Sequence, residues 1–241
     1  MSRMMDAGSV GFSWAIVQNG QLMDAGGIGD ARTPSESDPR EMTATTRMVS
    51  ASLAKPVCAV TVMKLVEDGS LALNDFAYPI IASAFPNAHE SMGQIKIRDL
   101  LTHQSGFNGP GTLSQFENAL QQPLTTMPGT TRYENWNYWF LAHVVEAITG
   151  KPYVEIATNI VLTPMTITTM TREVDDNAPC LYYAEDSVSK GVTWNDFTAT
   201  AIGAYGWFAS AIDWARSGAR FLYSSTIRSS SARRSSRVVL L

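Results

Sequence analysis

Cysteine is nearly missing from these 241 residues: Cys58 and Cys180 are the only two, far apart and in no C-x-x-C pair. No disulfide framework is written into that spacing, and nothing argues for a bridge. Cys58 falls in an apolar segment and reads as a small core residue. Histidine is also scarce. His89, His103 and His143 are scattered without ligand spacing, so no metal site and no cofactor is implied. No apolar run approaches the roughly 18 residues of a membrane-spanning helix. The opening M-S-R-M-M-D-A-G-S-V-G-F-S-W-A lacks the apolar core of a signal peptide. As written, the expectation is a cytoplasmic protein; an incomplete N-terminus would allow a periplasmic or secreted one. No G-x-S-x-G elbow is present, which disfavours an α/β-hydrolase.

Positive charge is short as well. The chain has 18 basic and 22 acidic residues, a net charge of −4. Four of the basic residues, Arg228, Arg233, Arg234 and Arg237, lie in 222–241, where there is no acid. The remaining 14 against 22 leave a body of net charge −8 with no basic stripe, which argues against nucleic-acid binding.

What is present is an ordinary globular composition, 45% hydrophobic and 17% charged. It predicts one domain over 1–221 and a Ser/Arg-rich, disordered tail over 222–241. Val238 to Leu241 is too short for a domain element. Gly11 to Gln18 and Gln21 to Gly29 flank Asn19-Gly20, the strongest short hairpin signal, with Phe12, Trp14 and Ile16 on one face. A helix is predicted from Ser52, apolar nearly all round and therefore central, stopped at Gly69. Residues 95–108 predict a short helix with His103 and Ser105 near its end. Asn135 to Thr149 predicts a long helix stopped by Gly150, and a last helix begins near Ala209 after a Gly-rich turn.

Ser52-Leu53-Ala54-Lys55 carries the chemistry. A serine and a lysine three apart on a helix share one face, one turn apart. The ammonium can draw off the hydroxyl proton or stabilise the alkoxide, and the helix start offers unpaired N–H groups to an oxyanion. S-x-x-K alone is expected about once by chance in such a chain. A second copy, Ser187 to Lys190, is followed at once by Gly191 and has no helix behind it. The Ser52 copy has Pro56 in the first turn and an apolar body. The bland reading is a capped core helix. Tyr133-Glu134-Asn135, the only Y-x-N, adds a phenol for proton transfer and an amide for Lys55 and a substrate carbonyl. In its bland reading Tyr133 packs and Asn135 caps a helix.

With Y-x-N 81 residues after the serine, the chain resembles the class C β-lactamase group of serine hydrolases. That group includes D-Ala-D-Ala carboxypeptidase-type penicillin-binding proteins and esterases on the β-lactamase fold. L-V-E-D-G-S-L-A-L-N-D (65–75), I-R-D-L-L-T-H-Q-S-G (97–106), the stretch from Tyr133 to Tyr153 and G-A-Y-G-W-F-A-S-A-I-D-W-A-R (203–216) carry the likeness, which covers roughly 10–221. The resemblance implies an α+β fold, an antiparallel sheet with a helical subdomain. It implies Ser52 as acylated nucleophile, Lys55 as its proton partner, Tyr133 as general base and acid, and Asn135 as orienting Lys55 and substrate. In the family the His103 segment is structural.

One motif fails to match. The family's K-T-G or H-x-G tripeptide on a strand has no credible copy, since Arg216-Ser217-Gly218 falls in a helical pattern. The expectation is a fold missing its C-terminal sheet strands. Exposed apolar surface would then drive aggregation or assembly; the oligomeric state is not given. A small-molecule ester is slightly preferred over a β-lactam or D-Ala-type amide, because those amides lie outside the cytoplasm. The rival reading is a catalytically impaired remnant.

Overall fold

The computed structural model describes residues 10–35, 38–107, 113–172, 203–223 and 238–240. They divide into two compact units, one drawn from 1–50, 162–195 and 207–241, the other from 51–161 and 196–206.

In the first unit, strands β1 (Gly11–Gln18) and β2 (Gln21–Arg32) form the predicted hairpin. Asn19 and Gly20 both take positive φ, 54° and 81°, as a tight turn matched to strand twist requires. The register runs from Gly11↔Gly29 to Gln18↔Gln21, with one irregularity between Ile16 and Val17. β3 (Arg40–Glu41) pairs with the far part of β2. The inner face of β1 is not the aromatic one. Ala15 and Val17 are buried, while Phe12, Trp14 and Ile16 are half-buried. Ala15 and Val17 pack on Ala211, Ala215 and Ala219, a stripe at four-residue spacing along the last long helix, Ala211–Tyr223. Small residues on both faces allow that close approach.

A second, two-stranded sheet joins β4 (Met48–Val49) to β5 (Phe208–Ala209). The C-terminus differs from the sequence reading, which left no element after Phe221. The helix runs to Tyr223, and Val238–Leu240 forms β6, antiparallel to Ile16–Gln18. The four-stranded order is β3-β2-β1-β6. The open edge of β1 supplies the unpaired N–H and C=O groups that a three-residue strand needs. The C-terminal region thus supplies one strand to this sheet. The rest of the tail lies outside the described residues.

In the second unit, a 3₁₀ turn (Ala51–Leu53) leads into helix α1 (Ala54–Glu67), so the α-helix proper begins two residues after Ser52. It is also one-sided: Val57, Cys58, Val62 and Leu65 are buried, whereas Leu53 and Met63 are exposed. Short helices α2 (Ala77–Ile81) and α3 (Ile97–Leu101) and helix α4 (Leu113–Leu120) follow. Helix α5 (Asn135–Thr149) is the apolar centre, packed against α1, α2, α3 and α6 (Tyr153–Ala157). Gly150 ends α5 in the left-handed conformation at φ 66°, its N–H bonded to Glu146 O. Phe116 of α4 stacks on Trp136, Trp139 and His143 of α5, which anchors that side of the unit. Among the described residues no helix is long and apolar enough to cross a membrane.

Candidate active site

Ala51 has φ 43°, a left-handed conformation that costs a residue with a Cβ about 1–2 kcal/mol. It turns the chain out of β4 and puts Ser52 at an exposed corner ahead of α1. One turn on, Lys55 is 4% exposed, and its Nζ donates to Ser52 Oγ at 3.0 Å. Burying an ammonium is costly unless its protons find acceptors. Here all three do: Nζ also donates to Asn135 Oδ1 (2.8 Å) and to the carbonyl oxygen of Ala204 (3.1 Å). Burial still dominates and holds the Lys55 ammonium below its usual range, although Tyr133 works in the other direction.

Tyr133 Oη donates to Ser52 Oγ at 2.6 Å. The serine oxygen thus faces two proton carriers at once. Nζ lies 4.8 Å from the centroid of the Tyr133 ring and 5.9 Å from that of Tyr138. Tyr138 donates its own hydroxyl to Leu101 O, and burial pushes its phenol up to about 12. Cys58, fully buried one turn beyond Lys55, is pushed up to about 12 by burial. Neither group ionises near neutrality, so neither sets a thiolate or phenolate beside Lys55.

All four residues singled out from the sequence converge here. Asn135 is not the helix cap, however; Glu134 holds that position, and its side chain accepts from Trp136 N–H. Asn135 is free to reach Lys55 from the first turn. The second S-x-x-K, with Ser187 and Lys190, and Cys180 lie outside the described residues. His89 caps the turn at Glu90–Gln94, and His143 pairs with Glu146 (3.1 Å), so neither approaches the serine. Arg216-Ser217-Gly218 lies inside the helix Ala211–Tyr223, as its pattern predicts.

Two features were not legible in the sequence, a backbone acceptor and the contacts of a histidine already named. One is the Ala204 carbonyl. Gly203 (φ 79°) permits it: a Cβ there would collide with the Tyr138 carbonyl and press on Cys58 Sγ. A backbone acceptor has no letter of its own, and only the G-A-Y-G turn hints at it. The other is His103, whose ring lies 4.6 Å from that of Tyr133.

The family model described as Beta-lactamase matches residues 1–237. A curated Bacillus subtilis (strain 168) protein, PbpX, named as a penicillin-binding protein, is 28% identical over 170 residues, 66% of this chain and 41% of its own length. The octameric penicillin-binding protein homologue from Pyrococcus abyssi superposes with a TM-score of 0.74 at 20% identity, over 93% of this chain and 55% of that one. EstCE1, a hydrolase with promiscuous acyltransferase activity, superposes at 0.72 and 20% identity, over 89% of this chain and 68% of that one. The chain spans about two fifths of the length of the curated relative.

Proposed function

The chain belongs to the beta-lactamase family, and from that premise we propose that it is a serine hydrolase working through an acyl-Ser52 intermediate. The observation that carries this reading is the double contact on Ser52 Oγ, from Lys55 Nζ at 3.0 Å and Tyr133 Oη at 2.6 Å. After the exposed Tyr133 gives its own proton up to solvent, its phenolate accepts the serine proton as Oγ bonds to the substrate carbonyl carbon. The tetrahedral intermediate collapses, its bond to the leaving oxygen breaks, and Tyr133 returns the proton to that oxygen. Water then attacks the acyl carbon with the same proton route reversed, freeing Ser52. Asn135 holds Lys55 and a substrate amide or carbonyl. The Ser52 N–H supplies one oxyanion donor.

Esters are the preferred substrates, with β-lactams and D-Ala-type amides behind them. An alkoxide leaves more readily than an amide nitrogen, which must take its proton before the bond to carbon breaks, so an ester places less demand on a site with one oxyanion donor. The second reading is a catalytically impaired homologue. It is favoured by the missing K-T-G or H-x-G strand tripeptide, since the nearest letters lie within a helix.

The test is labelling with a fluorescent fluorophosphonate and with fluorescent penicillin, beside Ser52→Ala. Fluorophosphonate adduct on the parent and none on the mutant is the expected result. A folded parent that takes up neither probe leaves the impaired reading.

A further inference from the structure

Tyr133 is 58% exposed, yet it must hold its hydroxyl on Ser52. One residue grips it from three sides. The His103 carbonyl accepts the N–H of Arg132 at 2.7 Å, and His103 Nδ1 accepts the N–H of Glu134 at 3.1 Å. The residues on either side of Tyr133 are therefore both anchored on His103 through their backbone N–H groups. Between them the imidazole lies against the tyrosine ring, centroids 4.6 Å apart and tilted by 35°. His103 takes φ 57° to do this, an unusual conformation for a residue with a Cβ.

The protonation of the ring follows from its neighbours. Nδ1 also faces Asn137 Nδ2 at 3.0 Å. The amide is oriented by Ser105, whose hydroxyl donates to Asn137 Oδ1 while accepting the N–H of Phe107. Ser105 and Asn137 are both buried. Two donors converge on Nδ1, so it carries no proton; the imidazole is neutral, with its hydrogen on Nε2.

We propose that His103 is the positioning residue for Tyr133, and that its neutral Nδ1 is the acceptor that locks the phenol onto Ser52. This rests on the acyl-serine reading above. Protonation at Nδ1 sets a donor against two donors. Asn137 can turn its amide over by giving up Ser105, but the backbone N–H of Glu134 cannot reverse. The lock then opens at the residue following the phenol. The charged and titratable neighbours are Lys55 from α1, Arg132, Tyr133 and Glu134 from the preceding loop, and Tyr138 from α5. Burial, with Lys55 adding to it, keeps the imidazole below its usual 6.5.

Two variants separate the lock from simple packing. His103→Asn keeps an acceptor near the Nδ1 position, tolerates the left-handed backbone and cannot titrate. His103→Leu fills space without an acceptor. For p-nitrophenyl ester hydrolysis, His103→Leu is expected to lose about 100-fold in kcat with KM little changed, the cost of a misplaced catalytic group. His103→Asn stays within about tenfold of the parent and loses the parent's fall in kcat below pH 6.5. Parent-like kinetics in His103→Leu, or an unchanged acid limb in His103→Asn, would overturn the proposal.

A readout independent of turnover is the imidazole nitrogen spectrum of Ser52→Ala by NMR. The expected result is an Nε2–H tautomer and a Glu134 amide resonance that moves as His103 titrates. A proton on Nδ1 at neutral pH, or an indifferent Glu134 amide, refutes the lock even if the parent never reacts with a fluorophosphonate. That failure to react would sink the hydrolase reading alone.

Discussion

Lys55 is a buried cation one helical turn from an exposed hydroxyl, and its environment sets its value to the molecule. Replacing it with methionine removes the buried charge beside Tyr133 and one partner of Ser52. The expected loss in esterase kcat is about 10²–10⁴-fold, and Tyr133→Phe falls in the same range. Stability moves differently. The Lys55 ammonium is disfavoured by folding, so its penalty is present in full at neutral pH. It fades as pH rises through the lowered folded value towards 10.5, because there the unfolded chain binds more protons. The Tm of the parent relative to Lys55→Met therefore rises with pH over that window; a gap that stays constant in paired thermal melts would count against a depressed lysine. At this scale the sequence was informative where letters carry chemistry. Ser52, Lys55, Tyr133 and Asn135 were all visible from type and spacing. The Ala204 carbonyl was not, because any residue supplies one, and His103 was visible without its contacts.

At the scale of elements, the start of α1 shows what periodicity can and cannot locate. The apolar pattern from Val57 to Leu65 marked the helix, but its first turn is 3₁₀ and is entered through the left-handed Ala51. A positive φ at alanine leaves no trace in a hydrophobic pattern. The hairpin was legible down to its turn because Asn-Gly encodes positive φ directly. Which face of β1 goes inward was not, since Phe12 and Trp14 outweigh Ala15 in any hydropathy count. The packing of β1 on the last helix rests on alanine at 211, 215 and 219. Ala215→Leu should overfill that seam and cost about 1–3 kcal/mol, read from the denaturant midpoint at unchanged slope. A midpoint equal to the parent's would mean the seam is loose. Gly203→Ala adds a strained φ and a collision at the turn behind Lys55. Its expected cost is about 1–3 kcal/mol, with a fall in esterase kcat as Ala204 is displaced. A parent-like Tm and kcat would show that the turn accommodates a methyl group.

Over the whole molecule, contacts distant in sequence were the least legible. β6 finds β1 across more than two hundred residues, and three apolar residues give no periodicity from which to expect it. The buried thiol of Cys58 offers a global probe. It has no exposed surface and is pushed up to about 12, so in a Cys180→Ser background a thiol reagent should reach it only when the structure opens. Labelling that accelerates with denaturant in step with unfolding is the expected outcome. Labelling at one rate regardless of denaturant would mean a local breach beside α1.

The three acceptors around Lys55 also bear on the hydrolysis proposed above. Its N–H bonds are divided among Ser52, Asn135 and Ala204, so none is left to recognise a free carboxylate on an incoming molecule. In that proposed reaction, selection near Ser52 falls on shape and leaving group, with no direct lysine handshake for an acidic terminus. A neutral acyl compound loses nothing by lacking one.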